Sequence, residues 1–178
     1  MGLVIFLCVT FSPEWDTNDD VGMSMVAHGY GIAAAGSPNL IFSNIVWGYF
    51  VRLLPNVGGI LGYSLATMAT LVAIGSVILC VMRTMGSNWL AATLVLLLVM
   101  IRPILFPQFT INAGLLATSA VLCWLLYEKR NAKLAFAFGC LLAYAGFLVR
   151  SQELLLVFLI AAPLLPWRKF FATRFAWT

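Results

Sequence analysis

From Val57 to Trp167 the chain is a succession of long apolar stretches parted only by brief polar breaks, and this pattern constrains its fold more than any other feature. A backbone surrounded by hydrocarbon must satisfy its own hydrogen bonds, so such stretches read as helices. A helix uses about 20 residues to cross a hydrocarbon core ~30 Å thick. The runs predict membrane spans near 57–82, 89–106, 109–127, 134–149 and 153–167. The breaks are Arg83 to Asn88, the Pro107-Gln108 corner, Glu128 to Lys133, and Arg150-Ser151-Gln152. Pro163 and Pro166 interrupt the last run and predict either a kink or a partly re-entrant segment there. Composition agrees: 63% of residues are hydrophobic and 9% charged, against about 25% charged in soluble domains. Mean hydropathy is +1.02. With the apolar run 1–11 counted, the expectation is an all-α, polytopic membrane helical bundle of about six transmembrane helices in a single domain covering 1–178.

The first run, 1–11, is short for a span and carries neither a basic flank nor a small-residue cleavage site, so it reads as a first helix rather than a signal peptide. The stretch 12–56 then reads as an outer acidic loop with two interfacial helices, about 19–35 and 40–54, separated by Gly36-Ser37-Pro38 and closed by Pro55. The four cysteines, Cys8, Cys80, Cys123 and Cys140, lie inside apolar stretches without metal-ligand spacing and read as small core hydrophobes.

Charge tests the span assignment, because alternate loops must lie on opposite sides. One set of loops, with the tail 168–178, holds Arg83, Lys129, Arg130, Lys133, Arg168, Lys169 and Arg174 against the single acid Glu128. The other holds Arg52, Arg102 and Arg150 with Glu14, Asp16, Asp19, Asp20 and Glu153. The positive-inside rule makes the first side cytoplasmic, with both termini there, and turns the acidic loop outward. The excess of ten basic over six acidic residues thus marks orientation, and no polybasic run suggests nucleic acid. Trp89, Trp124, Tyr127 and Trp167 fall near the cytoplasmic ends, where an aromatic belt belongs.

The predicted outer face gathers Asp19, Asp20, His28, Arg102, Arg150, Gln152 and Glu153. Charges near membrane depth pair or face polar cavities, which makes Arg102, Arg150 and Glu153 functional candidates; snorkelling at helix ends explains each arginine equally well. Asn18 or Asp19 could cap the helix that starts there, with Asp20 in its first turn, and this stands beside a catalytic reading of the acids. Asp20, Ser24 and His28 repeat every fourth residue, and their stripe could line an external cavity. His28, the one histidine, is either a base or a hydrogen-bonded structural residue.

An N-terminal span, an outward loop with the acidic pair Asp19-Asp20, interfacial helices before the second span, and the turn Leu148-Val149-Arg150-Ser151-Gln152-Glu153 resemble the N-terminal half of GT-C glycosyltransferases. The resemblance covers roughly 1–167 and rests on architecture plus one short acidic motif. It implies an enzyme of the bacterial inner (plasma) membrane that transfers a sugar from a polyprenyl-phosphate donor to an acceptor at the periplasmic or extracellular face. Asp19 or Asp20 would then act as catalytic base or hold a divalent metal, Mg²⁺ or Mn²⁺. Arg102, Arg150, Gln152, Glu153 and His28 would bind substrate, with the arginines against the lipid phosphate. Family members are usually more than twice as long, so the chain reads as a core or a piece that a membrane-protein partner or further spans would complete. The rival expectation is a carrier, flippase or assembly subunit that binds a lipid phosphate without chemistry. No P-loop, G-x-G-x-x-G, H-E-x-x-H or G-x-S-x-G motif is present, which disfavours an ATP-driven pump or a nucleotide-dependent reductase.

Overall fold

The computed structural model describes residues 2–165 and 167. Seven helices follow in order: α1 (Gly2–Thr10), α2 (Asn18–His28), α3 (Ile45–Leu53), α4 (Gly62–Thr84), α5 (Trp89–Leu105), α6 (Phe109–Arg130) and α7 (Lys133–Ala161). A 3₁₀ turn, Ala162–Leu164, follows α7, and among the described residues no β-strand forms. The chain is therefore all-helical, as expected. Three helical stretches, Gly62–Thr84, Phe109–Arg130 and, counted across its break at Arg150, Lys133–Leu164, are long and apolar enough to cross a membrane. The six-span expectation is met only to that extent: α5 has 17 residues and α1 has nine, or roughly 25 and 13 Å of helix at ~1.5 Å per residue.

Local chemistry sets the boundaries. α5 begins where the Asn88 side chain accepts the Ala91 N–H at 2.7 Å, and it stops at Leu105 because Pro107 disfavours helical backbone at Phe106. α6 ends on Asn131 in left-handed conformation. The two helices expected at the interface are shorter than the sequence suggested. The first ends at His28, not near 35, because Gly29 turns left-handed at φ 71°. The second begins at Ile45, not 40, because Phe42 is itself left-handed and Asn44 caps the helix by accepting the Val46 N–H. The N-cap of α2 is Thr17, rather than Asn18 or Asp19. The second apolar run starts its helix at Gly62, since the preceding residues form a tight turn over Gly58-Gly59 closed by a Val57–Ile60 bridge.

α6 is the most buried of the long helices and packs between α7 and α4, while α5 and the shorter α1, α2 and α3 pack against α4. The break expected at Arg150-Ser151-Gln152 is present: Arg150 leaves helical geometry at φ −160°, ψ 106° within α7. On a straight helix Gly139 and Phe158 would stand roughly 28 Å apart. Yet a Cβ on Gly139 would meet the Trp124 indole at 2.5 Å, and the Phe158 ring lies 5.3 Å from that of Trp124. The chain therefore reverses at Arg150, and both arms of α7, 133–149 and 151–161, lie against α6. The second arm spans only about 16 Å, and Pro163 enters a 3₁₀ turn. Pro166 and the basic tail 168–178 lie outside the described residues.

The bundle has two chemically distinct ends. At one, Arg130 donates to the Thr84 carbonyl (3.0 Å) and the Arg83 guanidinium lies over the Trp89 ring (4.3 Å). At the other meet the starts of α4 and α6, the α5–α6 corner, the α7 reversal and the loop 12–17, whose Glu14 and Asp16 N–H groups bond to the Leu105 and Pro107 carbonyls.

Candidate functional site

The site at this second end is built on α2. Its polar stripe does not line an external cavity; it is the face that packs inward, with Asp20 fully buried and Ser24 3% exposed. A carboxylate taken out of water requires donors, and Asp20 has three. One oxygen accepts the Tyr63 hydroxyl at 2.8 Å and the Phe109 N–H at 3.1 Å, and the other accepts the Thr17 hydroxyl at 2.8 Å. Phe109 is the first residue of α6, whose N-cap Gln108 contributes no side-chain bond. Asp20 thus places an acceptor and a negative charge at the positive end of the α6 dipole, doing from another helix what a capping residue does locally. Burial pushes its pKa above the ordinary carboxylate value, opposed by these three hydrogen bonds.

His28 performs the matching task for α4. Its Nε2 accepts the Tyr63 N–H at 3.1 Å, where the N-cap Leu61 has no side chain to offer. The ring must therefore be unprotonated at Nε2. Burial first, and the nearby Arg52 charge second, lower its pKa. Between them, Ser24 shares a hydrogen bond with the Tyr30 hydroxyl at 2.9 Å. Spacing by four residues thus reaches two helix starts from one stripe.

Asp19, one residue from Asp20 and about 100° around the helix, is exposed and has no hydrogen-bond or ion-pair partner among the described residues. The two carboxylates diverge, and both Asp20 oxygens are occupied by donors. Among the described residues no group of three His, Cys, Asp or Glu side chains comes together to hold a metal. The acidic pair therefore does not fit a shared divalent cation.

A second cluster adjoins the first through Phe109. Arg150, at the α7 reversal, donates to the Thr110 hydroxyl (2.6 Å) and to Gln152 Oε1 (3.4 Å), and its Nε lies 3.7 Å from Glu153. Its guanidinium carbon sits 5.1 Å from the Phe109 centroid and 5.5 Å from that of Phe42. Those two rings are stacked at 6.1 Å. Phe42 holds φ 66°, a costly conformation for a bulky residue, and its ring lies against Phe109 and Arg150. Arg102 stands apart, 71% exposed, with Asp16 at 3.7 Å.

All seven residues singled out by sequence thus lie at one end. Asp20 and His28 join the buried cap network, Arg150, Gln152 and Glu153 form the turn cluster, and Arg102 and Asp19 remain on the surface. Tyr63, Thr17, Phe42 and Phe109 are the members that sequence reasoning did not single out. Tyr63 was legible only as an aromatic near a helix start, and nothing local links it to an acid 43 positions earlier.

Comparison of the chain with protein-family models, with curated proteins and with solved structures returns no match.

Proposed function

We propose that the chain is the membrane-embedded core of a glycosyltransferase of the GT-C type, with Asp19 as general base for a sugar acceptor. The observation that carries the reading is the division of labour in the acidic pair: Asp20 is buried and bonded to the starts of α4 and α6, which fixes the helix that presents the free, exposed Asp19 carboxylate. An acceptor hydroxyl is almost wholly protonated near neutrality, so a carboxylate that takes its proton during attack on the anomeric carbon lowers the barrier. The bond from that carbon to the lipid phosphate breaks on the opposite face, inverting the centre and leaving charge on the phosphate. Arg102, exposed at the same end, or Arg150 supplies the compensating charge. The basic end with Arg83 and Arg130 faces the cytoplasm of a bacterial inner membrane in this reading.

The test uses the full-length protein in vesicles with a radiolabelled polyprenyl-phosphate sugar. Asp19→Asn is expected to lower transfer by about 10²-fold or more with unchanged melting, and undiminished transfer removes Asp19 from the mechanism. Labelling of a cysteine at Asn18 only from the cytoplasmic side overturns the orientation. One observation favours a second reading, a carrier or flippase component: the exposed guanidinium of Arg102 needs no base beside it to bind a lipid phosphate. There Arg102→Ala abolishes lipid movement while Asp19→Asn leaves it intact.

A further inference from the structure

A cavity of about 500 Å³ lies far from this site, between α4, α6 and the first arm of α7. Its walls are apolar, formed by residues such as Ala73, Val77, Cys123, Leu126, Phe138 and Leu142. It is open on one side, and along α4 it extends from Ala73 to Thr84, about 16 Å at ~1.5 Å per residue. That is one leaflet's share of a ~30 Å hydrocarbon core.

The cavity reaches the basic end. Thr84, Ala132 and Leu134 line that margin, and they are neighbours in sequence of Arg83, Arg130 and Lys133. Arg130 is bonded directly to the Thr84 carbonyl at 3.0 Å. Lys129 lies in the same turn, and Glu128 is the one acid of the group. An apolar slot of one-leaflet length with a cluster of cations at its mouth matches a molecule with an apolar tail and an anionic head.

We infer that this groove binds an acyl chain of an anionic glycerophospholipid, with the headgroup phosphate held by the cations at the α4–α5 and α6–α7 turns. Neither α2 nor the Arg150 cluster takes part, so the inference stands or falls independently of the proposed transfer reaction; it requires only that the long helices lie in a bilayer. Van der Waals packing against the groove walls seats the chain, which is already out of water in the bilayer, and the cations select the headgroup.

The experiment reconstitutes the full chain in phosphatidylcholine vesicles containing a few mole per cent of phosphatidylglycerol with a diazirine midway along one acyl chain. The same photoreactive chain on phosphatidylcholine is the comparison. After irradiation, adducts are mapped by peptide mass spectrometry. The expected result is labelling at Val77, Cys123, Phe138 or Leu142, several-fold stronger with the anionic lipid. It falls to the phosphatidylcholine level in Arg130→Gln/Lys133→Gln and is lost in Ala135→Phe, which fills the groove. Equal labelling by both lipids in the unsubstituted protein overturns the inference, whether or not the variants fold. So does labelling spread over the outward faces of α5 and α7, or a groove that stays unlabelled because another part of this chain or a second copy fills it.

Discussion

Replacing Asp20 by alanine tests whether the acidic pair is divided between scaffold and chemistry. The substitution removes the acceptor for two groups that have no solvent to turn to, the Tyr63 hydroxyl and the Phe109 N–H, both on residues under 5% exposed. Thr17, which is only half-buried, recovers its bond from water. A buried donor stranded without a partner costs about 1–3 kcal/mol, so the two together cost about 2–6 kcal/mol. For a chain of this size each kcal/mol shifts melting by about 2–4 °C. Thermal melts of the full chain in one detergent, followed by circular dichroism, should therefore drop by roughly 4–24 °C. Asp20→Asn keeps one acceptor oxygen and should fall between. A double-mutant cycle with Tyr63→Phe should give a coupling of about 0.5–3 kcal/mol, as for groups in direct contact. The sign of the pH dependence is also fixed. Because burial raises the folded pKa above 3.8, the folded state binds more protons than the unfolded one between 3.8 and the raised value. Stability therefore falls as pH rises through that window, and Asp20→Asn removes the slope. Melting of Asp20→Ala within about a degree of the unsubstituted protein would refute the cap argument and return Asp20 to the list of chemical residues.

The other predictions probe the neighbouring contacts. His28 has a lowered folded pKa, so between that value and 6.5 the unfolded state binds more protons; stability should decline as pH falls through 6.5, and the decline should vanish in His28→Gln, checked by melting from pH 7.5 to 5.0. Gly48→Ala places a methyl group almost on the Pro38 carbonyl oxygen, which is backbone and cannot swing away; a loss of about 1–3 kcal/mol is expected, read as lower yield and melting temperature. Arg150→Lys keeps the charge but loses the planar fork that bonds Thr110 while covering two rings. It should cost about 1–2 kcal/mol and raise the rate of limited proteolysis near residue 150.

How much of this was legible in the sequence depends on the range of the interaction concerned. The long helices were legible because hydropathy is summed locally: the runs near 57–82 and 109–127 correspond to α4 and α6 with shifts of a few residues at their ends. The break at Arg150 was legible too, since a polar triplet interrupts an apolar run. What did not follow from local pattern was where short helices end. α2 and α3 lose residues at their flanks to Gly29 and Phe42, and a left-handed Phe42 has no signature in the residues around it. Its ring lies against Phe109 and Arg150, which stand far along the chain.

The site divides along the same line. Charge sorting by loop parity brought Asp19, Asp20, Arg102, Arg150 and Glu153 to one end, because parity is a property of the whole string of spans. It could not separate Asp19 from Asp20, which share composition, loop and side. Only packing separates them. α2 must turn some face toward α4 and α6, and each of those helices begins without a capping side chain of its own. The face that carries Asp20 and His28 meets both unfilled needs at once, and Asp19, about 100° away, is left in solvent by the same rotation. A cap supplied by another helix is invisible to sequence rules that look for Ser, Thr, Asp or Asn just before a helix start. The missing cap is itself the signal: Leu61 before α4 and Gln108 before α6 are poor N-caps, as is Ala132 before α7 at the basic end, and the two that start beside α2 call for acceptors from elsewhere. Among residues 12–56, the acid and the histidine spaced to reach both starts are Asp20 and His28.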